Sequence, residues 1–374
     1  MRRTFTLPLA ALTLLAACAD GIPTALDPHA AVPAAASAKQ DDPETQASVS
    51  VVMSNLDNPR GLAWGPEGAL YVAEAGSTAN NGPCAPVPRG QNCYSGTGAI
   101  TRLWNGTQER VASGLPSHIL ITATGPGDVT GPHDISFQGK GNAYVTIGWA
   151  GPPAARAALG ALGSGFGATI RVTPNGSWDV VADISGFEQA NNPAGGPLDS
   201  NPYGILAEPG RQFLTDAGGN SVLEVSANGT VSLVATLPPT PTGSEAVPTE
   251  VVRGPDGALY VSQLTGVPFT AGAASIWRLV PGGAPQIYRT GFKTITDFDW
   301  APDGSLYLVQ FASSPTFFGQ PGLLIRVPPG GGAPVVINST LTNPTGVLVG
   351  PDGAVYVSNK GNVAGTGEVL RIVP

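Results

Sequence analysis

The sequence predicts an all-β fold, a β-propeller of six four-stranded antiparallel blades. Three observations carry this: one hairpin motif recurs six times, turn residues punctuate short apolar runs throughout, and a strand pattern ahead of the first repeat matches a strand missing from the last.

The first repeat runs Asn58-Pro59-Arg60-Gly61, turns at Gly65-Pro66-Glu67-Gly68 and continues as Leu70-Tyr71-Val72-Ala73-Glu74. Its equivalents open at Gly131-Pro132-His133-Asp134, Asn201-Pro202-Tyr203-Gly204, Val247-Pro248-Thr249-Glu250, Ile295-Thr296-Asp297 and Asn343-Pro344-Thr345-Gly346. Later turns read Gly254-Pro255-Asp256-Gly257, Ala301-Pro302-Asp303-Gly304 and Gly350-Pro351-Asp352-Gly353. Proline presets one turn dihedral and glycine accepts positive φ, so each unit reads as a hairpin. A third strand follows at 100–104, 170–172, 222–225, 276–279, 324–327 and 369–372. Asn105-Gly106, Asn175-Gly176 and Asn228-Gly229 read as type I′ turns leading to fourth strands. Segments near 77–97, 117–130, 150–166 and 188–199 read as loop insertions, with His118 on the surface of one of them. The fourth strand of the last unit is missing, and Ser48-Val49-Ser50-Val51-Val52-Met53 is expected to supply it beside 368–373, closing the ring and covering an exposed edge.

Gly (51) and Pro (37) fall at these turn positions rather than in featureless tracts, which separates the chain from low-complexity sequence. Charged residues are 12 % of the chain and the net charge is −8, a balance that argues against a nucleic-acid partner. Arg2 and Arg3 precede an apolar run from Leu7 to Ala17, too short to span a bilayer as a mature helix. It ends in Leu15-Ala16-Ala17-Cys18, which resembles the bacterial lipobox. Residues 1–17 are expected to be a lipoprotein-type signal peptide, with Cys18 lipidated. Residues 18–47, rich in Ala, Pro, Ser, Asp and Gln, are expected to be a disordered tether, and 48–374 the propeller. Cys84 and Cys93 are expected to form a disulfide in an exported chain; the alternative, a two-ligand metal site, has no further His or Cys close in sequence. The expected product is a monomer, exported and lipid-anchored to the cell envelope at its periplasmic or outer-membrane face, with the membrane as a partner through the anchor.

The repeat resembles the NHL-repeat and senescence-marker/gluconolactonase superfamily of six-bladed propellers over residues 50–374. The opening LDNPRGLAWGPEGALYVAEAG and the cysteine-containing insertion with GTGAITRLW resemble, more narrowly, the ScyD/ScyE family. In such propellers the first strand of each blade lines the central channel. The resemblance therefore implies a strand-one ring of Arg60, His133, Tyr203, Thr249, Thr296 and Thr345, followed by Gly61, Asp134, Gly204, Glu250, Asp297 and Gly346. It also implies a strand-two ring of Glu74, Ile147, Asp216, Gln263, Gln310 and Asn359 at the same rim.

Acids are scarce in this chain, yet Glu74, Asp134, Asp216, Glu250 and Asp297 occupy equivalent rim positions. Carboxylates converging on one axis suit Ca²⁺ or another divalent cation. Gluconolactonase-like relatives hold a metal with Glu, Asn and Asp, for which Glu74, Asn201 and Asp216 are the closest matches in type. The competing expectation is a water-filled polar channel in which Arg60 and His133 neutralise the acids. His133 is the one histidine placed for general-base work. No nucleophile elbow, His-Glu-x-x-His or phosphate loop is present in the sequence. Two functions are expected: a tethered binding or scaffold propeller for a small molecule, glycan or protein, and, alternatively, a metal-assisted hydrolase or lactonase at the acidic channel.

Overall fold

A computed structural model describes residues 47–139, 141–280, 282–313 and 321–374. The signal segment, Cys18 and the tether up to residue 46 lie outside the described residues.

The repeated turns close as the sequence requires. The amides of Gly68, Gly257, Gly304 and Gly353 donate to the carbonyls of Gly65, Gly254, Ala301 and Gly350, and each of these four glycines has φ between +76° and +81°. The turn acid also receives the arginine of the third strand: Glu67 takes Arg102 (3.2 Å), Asp256 takes Arg278 (2.6 Å), Asp303 takes Arg326 (2.9 Å) and Asp352 takes Arg371 (2.6 Å). The acid of the repeat thus ties strand three to the hairpin turn in four of the six blades. Of the three Asn-Gly turns, only Asn105-Gly106 has positive φ at both residues, as type I′ demands. At the other two the asparagine side chain accepts a local amide instead, Ser177 N–H at Asn175 and Thr230 N–H at Asn228.

Six sheets follow from six repeats. The blades run from an inner strand outward: Pro59–Trp64, Leu70–Glu74, Gly98–Trp104 and Thr107–Leu115 in blade 1; Pro132–Gln138, Asn142–Ile147, Ala168–Val172 and Trp178–Asp183 in blade 2; Pro202–Glu208, Arg211–Asp216, Ser221–Ser226 and Val231–Thr236 in blade 3. Blade 4 comprises Pro248–Arg253, Leu259–Gln263, Ala274–Leu279 and Gln286–Phe292, and blade 5 Ile295–Trp300, Leu306–Gln310, Gly322–Val327 and Val335–Leu341. Blade 6 holds Gly346–Val349, Val355–Asn359 and Gly367–Val373, and its outer strand is Ser48–Leu56, antiparallel to Gly367–Val373 with Ser48 opposite Val373. The chain's first described strand therefore closes the ring beside its last, where the sequence placed it. Inner strands touch in cyclic order, blade 6 against blade 1. The core lies between blades: Val72, Val145, Leu214, Val261, Leu308 and Val357, equivalent positions of the second strands, are fully buried.

The insertions are not loops. Cys84–Val87, Gly90–Tyr94, His118–Thr122 and Gly125–Thr130 form a seventh four-stranded sheet outside the ring, with Cys84 and Cys93 paired across its first hairpin by a disulfide. A 3₁₀ helix, Pro153–Gly165, packs on this sheet, and an α-helix, Ile184–Asn191, overlaps the fourth insertion. Trp149 and Phe166 are fully buried beside it, and His118 sits between them rather than on the surface, its Nε2 against the Trp149 carbonyl at 2.8 Å. The two hairpins of this sheet are separated in sequence by two strands of blade 1, so neither shows an adjacent pairing partner along the chain.

Candidate functional site

Each inner strand begins with a residue whose side chain faces the channel, and in four of the six blades that side chain reaches for the next blade. The Thr249 hydroxyl donates to the Ile295 carbonyl (2.9 Å), Thr296 to Pro344 (3.1 Å) and Thr345 to Pro59 (2.7 Å). His133 does the same with its ring, Nδ1–H donating to the Pro202 carbonyl at 2.9 Å. Blade 3 has Tyr203 here; its Thr215 donates to the Thr249 carbonyl at 2.6 Å, as the equivalent Thr146 of blade 2 donates to the Tyr203 carbonyl.

Blades 1, 2 and 3 thus carry Arg60, His133 and Tyr203 where blades 4, 5 and 6 carry threonine. These three side chains, with Thr249, Thr296 and Thr345, line a cavity of about 400 Å³ at one end of the channel. The seventh sheet roofs it: residues 126–130 and Arg89 are part of the wall, with Asn58, Asn201 and Asn362. Arg60 anchors that roof, donating from Nη2 to the Val129 carbonyl (3.2 Å) and from Nη1 to the carbonyls of Pro59 and Gly361. The rings of His133 and Tyr203 face each other at 4.6 Å and 36°.

Because a carbonyl only accepts, the Pro202 contact places the His133 proton on Nδ1 and leaves Nε2 as an acceptor. Burial, reinforced by the Arg60 charge, pushes its pKa down to about 3, so the imidazole is neutral at physiological pH. It does not neutralise the channel acids. Burial pushes the Tyr203 hydroxyl up to about 12, keeping it a neutral donor.

Further along the inner strands, Asp134, Glu250, Asp297 and Asp299 line a second cavity of about 280 Å³. Glycine at three of these ring positions has a steric reason: a Cβ at Gly61 would lie 1.9 Å from the Asp134 carboxylate, one at Gly204 2.4 Å from the Thr249 carbonyl and one at Gly346 2.4 Å from the Arg60 carbonyl. Three of these acids are inter-blade ties. Asp134 accepts Ile205 N–H (2.8 Å), Asp297 accepts Val347 N–H (2.7 Å) and Asp299 accepts Val349 N–H (2.8 Å). Glu250 accepts Val251 N–H at 2.8 Å and interacts with Asp134. Burial first, then mutual repulsion, holds Glu250 and Asp297 well above the usual carboxylate range, and burial lifts Asp134 to about 7.

The strand-two ring turns away from the axis. Glu74 accepts Asp57 N–H (2.6 Å), Asp216 accepts Asn201 N–H (2.6 Å), Gln310 accepts Lys293 N–H (2.7 Å) and Asn359 accepts Thr342 N–H (2.8 Å). Each side chain caps the segment leading into its own blade. Gln263 accepts the Trp277 indole N–H at 3.0 Å, and Ile147 is buried. The five acids of the sequence reading therefore do not meet on one axis.

Nor are Glu74, Asn201 and Asp216 gathered as a ligand set. Glu74 is paired with Arg110 (2.7 Å) in blade 1, whereas Asn201 and Asp216 belong to blade 3. There Asn201 Oδ1 accepts Trp149 N–H, and Asp216 accepts the Gly219 amide and the Ser200 hydroxyl. Their oxygens serve backbone amides, hydroxyls and an arginine, so these residues do not fit a divalent ion. Among the described residues no group of three or more His, Cys, Asp or Glu is placed to hold a metal. The sequence reading missed Arg89, Asp128 and Asn362, which lie in insertions or loops outside the repeat and carry no periodic signal.

No known family's sequence profile matches the chain, and no curated protein matches it by sequence. Solved structures do match in fold. A protein described as an oxidoreductase (glucose dehydrogenase) from Thermus thermophilus aligns at 18 % identity over 87 % of this chain and 100 % of its own, TM-score 0.53. A gluconolactonase from Xanthomonas campestris aligns at 12 % identity over 88 % of this chain and 90 % of its own, TM-score 0.50. At such identities the likeness establishes the propeller fold.

The acidic cavity yields a pH prediction. A carboxyl whose folded pKa is raised stabilises the fold fully below its unfolded pKa near 4, and that contribution is lost as pH rises toward the folded value. Glu250→Gln keeps an oxygen for Val251 N–H and removes one of the interacting acids. It should therefore be more stable than the parent at pH 8, by about 1–3 kcal/mol, with the gap closing towards pH 4. Parallel denaturant melts measure this, and superimposable pH profiles would contradict it.

Proposed function

We propose that this chain is an exported β-propeller that binds a small molecule in the cavity at the channel mouth, beneath the seventh sheet, while a lipid on Cys18 tethers it to the cell envelope at its periplasmic or outer-membrane face. The observation that carries the binding reading is the asymmetry of the ring. Three consecutive blades replace the threonine of the ring with Arg60, His133 and Tyr203, and the insertions of blade 1 and of its connection to blade 2 enclose the cavity. A volume of about 400 Å³ with a few convergent polar groups suits a small ligand better than a glycan chain or a protein surface. Within the superfamily, residues 56–76 and the disulfide hairpin support kinship with ScyD/ScyE proteins. A hydrolytic reading rests on the free Nε2 of His133, a base without a metal; the fit of Glu74, Asn201 and Asp216 gives the metal-assisted form no support.

A fragment library screened by ligand-observed NMR tests the pocket. Hits should compete for one site and weaken at least tenfold in Tyr203→Ala. Hits that all survive this change, or a library without hits, would contradict the reading. The anchor is tested separately by Cys18→Ser: the parent should fractionate with membranes and show a lipid mass on its N-terminal peptide, and the variant should be released. A variant that stays membrane-bound, or a parent without lipid mass, rules the anchor out.

A further inference from the structure

Arg60 is the unusual group in this cavity. A guanidinium has five N–H donors in a fixed fork. Three are used, two from Nη1 on the carbonyls of Pro59 and Gly361 and one from Nη2 on Val129. Nε–H and one Nη2–H have no partner among the described residues. No carboxylate pairs with it there, whereas Arg102, Arg253, Arg278, Arg326 and Arg371 each hold one.

The charge around it is not balanced from within. The ionised groups lining the cavity are Arg60, Arg89 and Asp128, because His133 is neutral. Asp128 is already opposite Arg89 at 3.8 Å, both half-exposed, a contact of little energetic weight. The acids deeper in the channel are held towards their protonated forms by burial. A partly buried arginine with two free donors, whose one nearby acid, Asp128, is half-exposed and shared with Arg89, favours a planar oxyanion, which its fork binds in bidentate fashion. Beside it, Nε2 of His133 can only accept, and so selects a donor on the same ligand.

Resting on the pocket assigned above, we infer that the ligand is a small organic acid whose carboxylate lies against Arg60 and whose hydroxyl, or an equivalent donor, is received by His133 Nε2. The inference fixes the ligand class by two complementary contacts: an anion at blade 1 and a donor at blade 2.

Mandelate and lactate, each compared with its primary amide, test this by saturation-transfer NMR and calorimetry on the full chain. The amides keep size and hydroxyl but lose the charge and one of the two acceptor oxygens. Each acid should bind at least tenfold tighter than its amide. Arg60→Gln should remove that preference, Arg60→Lys should restore part of it, and Arg326→Gln, the same charge change on the outer face of blade 5, should leave it intact. Because Arg60 also holds the roof, each variant's melting temperature is compared with the parent's. A variant melting more than about 5 °C lower is replaced by titrating the parent at rising salt, where the acid preference should fall and amide binding should not. Acids and amides binding equally would overturn the inference while leaving the pocket standing. No binding by either acid at millimolar concentration would overturn it too, and the fragment screen then decides separately whether the pocket itself fails.

Discussion

A donor hydrogen bond from one blade to a carbonyl near the start of the next blade's inner strand, made in five of the six blades, is the contact on which the geometry of the ring depends. Thr249, Thr296 and Thr345 supply it with hydroxyls, His133 with an imidazole N–H, and blade 3 makes it through Thr215. Each bond contributes only about 0.5–1.5 kcal/mol, but together they fix the rotation of one blade against another. The buried carboxylates of Asp134 and Asp297 repeat the device one residue further along, accepting amides of the next blade. Register between blades is therefore set at the axis by polar bonds, while the apolar second strands fill the space between blades.

That arrangement explains where chemistry can be accommodated. A blade whose axial tie is provided elsewhere can present a different side chain to the channel. Blade 3 is joined to blade 4 through Thr215 rather than Tyr203, and Arg60 is directed to the Val129 carbonyl of the roof. His133 does both, since the bond that ties blade 2 to blade 3 also fixes its tautomer and leaves Nε2 free. The acids illustrate the opposite outcome. Their number and spacing resembled a metal site, but backbone amides engage their oxygens, and burial with mutual repulsion raises the pKa values of Asp134, Glu250 and Asp297.

Much of the fold was legible in the sequence because each element of the repeat has a local cause. The turn glycine needs positive φ, the turn acid takes the third-strand arginine, and Ser48–Leu56 had a vacant edge beside Gly367–Val373. The ring residues Arg60, His133 and Tyr203 were legible for the same reason, by alignment of position. The direction of the strand-two side chains was not, because Glu74, Asp216, Gln310 and Asn359 cap backbone segments 15 to 17 residues away, which composition does not reveal. The roof was not legible either. Its sheet joins two hairpins separated by strands of blade 1, and its core of Trp149, Phe166 and His118 draws on a third insertion.

The central claim is that the ring divides into blades whose axial residue holds structure and blades whose axial residue faces a ligand. Equilibrium unfolding of single ring variants tests it most directly. Thr249→Val, Thr296→Val and Thr345→Val should each lower stability by about 1 kcal/mol, whereas Tyr203→Phe should change it by less than about 0.5 kcal/mol. Threonine variants as stable as the parent, or a Tyr203→Phe variant destabilised as much as they are, would contradict the account.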